Sequence, residues 1–138
     1  MPLAGLTRWP VWRRWFGARA ERAAAKFLRR KKLRILFRNV LLPTGELDLV
    51  ALDGRTIVFV EVRSTEAVDC ERPTGSVDDE KQRKLTNLGI AFLQRHNLLG
   101  HPSRFDVVAV SWPANRRTPE IVHFANAFPP IGQFQMYS

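Results

Sequence analysis

Hydrophobic and polar positions along this chain repeat with two different periods, and the changes of period mark its elements. From about residue 12 to residue 32 the apolar positions recur at helical spacing. Ala20, Ala23, Ala24, Phe27 and Leu28 form one stripe, which predicts an amphipathic helix. Leu33 to Asn39 reads as a strand, and Leu41 to Gly45, containing Pro43, as a connection. Residues 45 to 64, GELDLVALDGRTIVFVEVRS, read as two strands flanking Asp53-Gly54, a dipeptide that favours tight hairpin turns because these need positive φ. Ser64 to Val77 is a polar loop with Pro73 and Gly75. A second helix is predicted from Asp78 to about Asn97, its acidic start suiting an N-cap and first turn. Leu85, Leu88, Phe92 and His96 share its stripe. Arg104 to Val110 and Glu120 to Ala125 read as the last two strands. The order is α-β-β-β-α-β-β, an α/β fold with a central sheet of about five strands flanked by helices.

The central hairpin carries the candidate chemistry. With Asp53-Gly54 as its two-residue loop, Leu52 pairs with Arg55, Asp48 with Phe59 and Glu46 with Glu61. Side chains alternate faces, so Glu46, Asp48, Phe59, Glu61 and Arg63 share one face. Leu47, Leu49, Val58, Val60 and Val62 fill the other. Asp48 and Glu61 become diagonal neighbours, roughly 7–8 Å apart at the backbone, which lets their carboxylates meet on one ion. Crowded carboxylates in apolar company need neutralising, and a divalent metal would do it. A solvated strand face is the alternative. Against it stand Ile57 and Phe59 on the acidic face, and the apolar run from Thr56 to Val62, which suits a sheet covered on both sides.

Composition narrows the frame without adding chemistry. The 138 residues are expected to form one domain over 1–138, with residues 1–16 a basic, Trp-rich N-terminal extension. Cys70 is the only cysteine, which excludes a disulfide framework or a cysteine metal site and fits a reducing compartment. No apolar run has transmembrane length and no signal peptide opens the chain, so stable membrane insertion is not expected and the location is read as cytoplasmic.

Charge changes the picture more. Residues 1–40 hold twelve of the 22 basic residues and one of the 13 acids, a net +11, while the remainder carries ten basic against twelve acidic, −2. Arg13, Arg14, Arg29 and Arg30 belong to this basic surface, which suits a polyanion such as a nucleic-acid backbone. The competing reading is a solvated helix face that aids solubility. Trp9, Trp12, Trp15 and Phe16, interleaved with Arg, fit a membrane-interface anchor, a stacking surface for bases or a cap on the core. Glu21 is the one acid of the first helix and lies at the edge of its apolar stripe. It is either half of an intrahelical salt bridge or a third carboxylate aimed at the sheet. Lys81 falls one turn before Leu85 on the second helix's stripe and so leans toward the sheet. His96, His101 and His123 lack metal-ligand spacing and read as structural.

These residues also carry a resemblance. They are Gly17-x-x-Ala20-Glu21 with Ala24 and Leu28, Asn39, Gly45-Glu46-Leu47-Asp48-Leu49-Val50, and Phe59-Val60-Glu61-Val62-Arg63. Lys81, Arg104-Phe105-Asp106-Val107-Val108 and Asn126-Ala127-Phe128 complete the set. Along nearly its whole length the chain resembles the YraN-like family, a largely uncharacterised bacterial group of the restriction-endonuclease-like, PD-(D/E)XK, superfamily. The resemblance implies a restriction-endonuclease-like core related to archaeal Holliday junction resolvases. It also implies that Asp48, Glu61 and Arg63 stand where the superfamily keeps its Asp, Glu and Lys, with Glu21 matching the resolvases' helical acid.

The implied activity is Mg²⁺- or Mn²⁺-dependent phosphodiester hydrolysis in nucleic acid, DNA by preference and branched or structured DNA in particular. Asp48, Glu61 and Glu21 would be the metal ligands, joined by the Val62 carbonyl, with Glu46 in support. Arg63 departs from the usual Lys. It stays protonated and cannot serve as a general base, so its role would be to hold the scissile phosphate, with Lys81 as a second cation. Resolvases act as dimers, so a homodimer is also implied, although no dimer surface is legible in the sequence. A nucleic-acid-binding module that keeps the fold with little or no hydrolysis is the alternative.

Overall fold

The computed structural model describes residues 17–64, 77–114 and 116–129, together with the backbone of 11–16 and of Thr65. Trp9, Cys70 and the side chains of Trp12, Arg13, Arg14, Trp15 and Phe16 lie outside the described residues. The first helix, α1 (Val11–Arg30), therefore takes in the last residues expected in the N-terminal extension. Ala20, Ala24, Ala25 and Leu28 are its buried stripe. Three alanines there let the helix axis approach the sheet closely. The helix ends where Lys32 turns to φ 76°, with Lys32 N–H bonding Arg29 O at 2.9 Å and Leu33 N–H bonding Leu28 O at 3.0 Å. That is a Schellman cap, closed by the contact of Leu33 with Leu28 in one apolar cluster.

The strands are β1 (Arg34–Leu42), β2 (Gly45–Asp53), β3 (Thr56–Thr65), β4 (Ser103–Ser111) and β5 (Glu120–Phe124), with α2 (Asp79–Arg95) between β3 and β4. They form one sheet in the order β1-β2-β3-β4-β5. The pairs β1–β2, β2–β3 and β4–β5 are antiparallel and β3–β4 is parallel, so the sheet is mixed. The element order is the expected one. The stretch read as a connection at Leu41 to Gly45 is instead the end of β1 and a tight turn at Pro43-Thr44, with Leu42 paired to Gly45.

Two corrections fall on the central hairpin. Its register pairs Asp53 with Thr56, so the loop is Gly54-Arg55 rather than Asp53-Gly54. Only Gly54 takes a positive φ, +61°, at the first central position, where II′ turns place glycine. Val50 consequently faces Phe59, and the regular pairing stops at Leu49–Val60, one step short of Asp48 and Glu61. A shift of two residues leaves the faces as expected, because the side-chain period is also two. The second correction is Leu47, which packs on the α2 side with Val50 and Phe59, whereas Leu49 packs on the α1 side with Val58 and Val60. The alternation slips at Asp48 because the Val62 N–H donates to Asp48 Oδ2, at 2.9 Å, where a strand carbonyl would otherwise stand.

Both faces of the central strands β2, β3 and β4 are covered, while the edge strand β1 is largely exposed. Phe59, Phe105, Leu88, Phe92 and Phe128 build the layer under α2, and Leu49, Ala51, Val58, Val108 and Val110 the layer under α1. On α2, Gly89 is the point of closest approach. A Cβ there would lie 2.9 Å from Phe105 Cζ and 3.1 Å from Phe59 Cε2. Those rings are themselves buried. Gly89→Ala would gain about 1 kcal/mol in helix propensity and lose about 1–3 kcal/mol to overpacking, so a lower urea midpoint is expected. A raised midpoint would mean that the rings move aside.

Candidate functional site: an acid cluster where β2 and β3 part

Four carboxylates gather at the end of the sheet where β2 begins and β3 ends. Glu46 and Asp48 come from β2, Glu61 from β3 and Glu21 from α1. Asp48 holds the centre. Burial pushes its pKa up to about 8, with Glu61, Glu21 and Glu46 adding to the rise and the Val62 N–H opposing it. Glu21 is raised for the same first reason, burial, with further contributions from Glu46 and Glu61. With its amide nitrogen turned to that carboxylate, Asn39 donates to Glu21 Oε1 at 2.8 Å and Oε2 at 3.3 Å. Asn39 reaches it from β1 with φ 52°, a conformation asparagine tolerates better than most residues.

Cations border the acids. Lys81 Nζ stands 3.2 Å from Glu61 Oε2, whose side chain is only 16% exposed. The start of α2 fixes Lys81, because its backbone N–H donates to the N-cap Asp78 Oδ1 at 2.8 Å. Arg38 lowers the Glu21 pKa from β1. Arg63 is half-buried two residues after Glu61, on the same strand face and in register with Ala109 of β4. Arg29 and Arg30 are exposed in the last turn of α1, while the side chains of Arg13 and Arg14 lie outside the described residues.

The structure thus brings Asp48, Glu61, Glu21 and Glu46 into one electrostatic neighbourhood. It does not close them into a cage: among the described residues, no three His, Cys, Asp or Glu side chains are placed to hold a metal ion. Glu61 is turned to Lys81 and Glu21 to Asn39, as mutually repelling carboxylates turn to whatever donors are near. The donor set itself, hard carboxylate oxygens in a partly buried setting, fits Mg²⁺ or Mn²⁺.

A second charged cluster escaped the sequence reading. Asp106 on β4 is fully buried and accepts from Arg104 Nε at 3.0 Å, Arg104 Nη2 at 3.2 Å, His123 Nε2 at 2.7 Å and Asn126 N–H at 2.8 Å. Lys31 Nζ lies 2.9 Å from His123 Nδ1. An ammonium can only donate, so Nδ1 accepts and the ring proton sits on Nε2. The signal available was Arg104-x-Asp106, two charges on one face of an otherwise apolar strand. Of the other histidines, His101 bonds Arg55 O at 2.8 Å and His96 packs on Phe92 with centroids 4.4 Å apart. All three therefore have structural partners.

Fold and site together define a mixed α/β domain with an acid cluster beside its central hairpin and a basic helix across one face. The chain belongs to the Uncharacterised protein family UPF0102, whose model matches residues 20–110, a span holding every residue of the acid cluster. It is 40% identical over 124 residues to a UPF0102 protein of Rhodopirellula baltica, covering 88% of this chain and 74% of that one. A UPF0102 protein of Geobacter sulfurreducens is 39% identical over 112 residues, 81% of this chain and 87% of its own. One from Pseudomonas savastanoi is 43% identical over 104 residues, 75% and 85% respectively. Among the described residues no helix is long and apolar enough to cross a membrane.

Proposed function

We propose that this protein is a metal-dependent nuclease of the restriction-endonuclease-like kind, acting on DNA and in particular on branched or structured DNA. The observation that carries the reading is the half-buried Asp48 carboxylate, held by the Val62 N–H and surrounded by Glu61, Glu21 and Glu46 on a chain whose first helix is densely basic. So much negative charge at one place is costly to a fold unless a ligand uses it. Held by Asp48, Glu61 and Glu21 with the Val62 carbonyl, Mg²⁺ or Mn²⁺ would supply charge neutralisation at the phosphate and a more acidic attacking water.

The chain's own residues do the rest. Asn39 holds the Glu21 carboxylate from β1 at the edge of the cluster, and Glu21 would turn from it toward a bound ion. Arg63, permanently charged, attracts and orients the scissile phosphate but takes no proton from water. Lys81, 3.2 Å from Glu61 Oε2, would offer a second cation to the incoming phosphate. The exposed Arg29 and Arg30 draw in the backbone of the strand through sequence-independent contacts. A second reading, a binding module with the fold but no hydrolysis, is favoured by one observation: Glu61 already has a cationic partner in Lys81.

Cleavage of linear, flapped and four-way DNA with Mg²⁺ or Mn²⁺ decides between them. Arg63→Ala is expected to slow cleavage by about 10²–10³-fold, the scale of losing one preorganised charge stabiliser. Arg63→Lys, which keeps the charge, is expected to retain or exceed the wild-type rate. No cutting of any substrate with either metal would reject the nuclease and leave the binding module.

A further inference from the structure

A cavity of about 420 Å³ opens on the other flank of α1, between that helix and the segment joining β4 to β5. Arg19, Lys26 and Arg30 line it from the helix, and Arg117 from the opposite wall. Trp112 and Phe27 supply aromatic surface, and among the described residues no acidic side chain contributes to the lining. Arg19 and Ala23 each stand two residues from Glu21, so they project roughly 200° around the helix from it. The cavity and the acid cluster are separate sites on one helix.

The simplest account of a basic helix is a solvated face, but such a face is convex and its charges spread apart. Here four cationic side chains from two elements surround one concavity. The Arg19 guanidinium lies over the Trp112 ring, 4.3 Å from its centroid, which fixes a planar cation against a planar ring at the cavity wall. A volume of this size is that of a small-molecule site rather than a packing defect. Cations of this number select an anion, and guanidinium groups select phosphate oxygens in particular. The aromatic and apolar remainder of the lining suits a flat, weakly polar ring, as when bases stack on aromatic side chains.

We propose that this cavity is a nucleotide-binding site, with Lys26, Arg30, Arg117 and Arg19 holding the phosphate and Trp112 and Phe27 contacting the base. The nucleotide is either a free mononucleotide or the phosphorylated end of a strand, since both present the same chemistry. This goes beyond the nuclease reading and does not need it: the cavity contains none of the residues assigned to hydrolysis and shares with that reading only Arg30, one of its backbone contacts.

Calorimetric titration of the full chain in EDTA separates the two sites, since metal-dependent cleavage is then silent. AMP is expected to bind saturably, about tenfold or more tighter than inorganic phosphate, the margin that base stacking adds. Arg117→Glu and Lys26→Glu, both at exposed positions that leave the core intact, are each expected to weaken AMP by about tenfold or more. Trp112→Ala should lower AMP affinity by a larger factor than phosphate affinity, since it removes the base contact outright and only loosens Arg19, one of four cations. Asp48→Asn should bind AMP like wild type. A 5′-phosphorylated tetranucleotide binding more tightly than AMP would assign the site to a strand end, and equal binding to a free nucleotide. No AMP binding, AMP no tighter than phosphate, or charge-reversed variants that bind like wild type would each overturn the proposal. None of these results depends on whether DNA is cut.

Discussion

Asp106→Ala is expected to cost about 3–5 kcal/mol of stability, the scale of removing one partner from a buried ion pair. Its carboxylate is wholly buried and accepts from Arg104, His123 and the Asn126 N–H. Removing it strands the Asn126 N–H and His123 Nε2 inside the fold and leaves the Arg104 guanidinium with Asp53 Oδ2, 2.9 Å away, as its remaining carboxylate. The Asn126 contact also anchors the segment in which Ala127 N–H bonds Phe105 O at 2.8 Å and Phe128 stacks on Phe105. Loss of the carboxylate should therefore loosen residues well beyond position 106. Burial alone would raise the Asp106 pKa, but the His123 and Arg104 hydrogen bonds and the Asn126 N–H outweigh it and hold the group below its ordinary value. A depressed carboxylate contributes stability that is present above the ordinary carboxylate range and is lost as pH falls through the lowered value. Urea midpoints at neutral pH and in acid should thus show a wide gap between wild type and variant that narrows on acidification. A cost below about 1 kcal/mol at neutral pH, the worth of a surface pair, would mean that the cluster is not a structural anchor.

How much was legible in the sequence follows from the range of each interaction. The element order was readable because apolar periodicity is local, and the coverage of both sheet faces was readable from the run Thr56 to Val62. The hairpin register was not, since Asp53-Gly54 and Gly54-Arg55 are both plausible loops around one glycine. The faces survived that error because it was a shift of two. The placement of Leu47 opposite to Leu49 was hidden for a different reason. It depends on Asp48 capturing the N–H of Val62, fourteen residues away. Pro43 read as a break, although a proline in a two-residue turn equally ends one strand and begins the next. At the site, Asp48, Glu61 and Glu21 were legible as acids directed toward one another, and they do lie in one electrostatic neighbourhood. Their actual partners, Asn39 and Lys81, arrive from β1 and α2. Lys81 was legible as far as its lean toward the sheet, because helical phase is local. The pairing of Asn39 with Glu21 joins a helix and a strand across the fold, and no spacing rule reports it.

Asp48→Asn is expected to strengthen the metal-free fold while abolishing what the acid cluster does. Asparagine keeps the shape of the side chain and an oxygen for the Val62 N–H, and removes the charge. In the folded protein the Asp48 pKa is pushed from 3.8 up to about 8, by burial first and by Glu61 next. A group with a raised folded pKa contributes stability that is full below its ordinary value and is lost as pH rises through the raised one. Wild type should therefore weaken between about pH 4 and pH 9, and the variant should lack Asp48's share of that slope while keeping that of Glu21. The two are expected to be nearly equal near pH 4. At pH 9 the variant should lead by on the order of 2–4 kcal/mol, less than the full linkage value because neighbouring carboxylates share the shift. Millimolar Mn²⁺ or Mg²⁺ should raise the wild-type Tm, since an ion that binds only the folded state stabilises it. In Asp48→Asn and Glu61→Gln that rise should disappear along with any cleavage. Equal stability of wild type and Asp48→Asn at pH 9 would mean that Asp48 ionises in the fold without penalty. A wild-type Tm indifferent to both metals would then remove the reason to assign these four carboxylates to an ion.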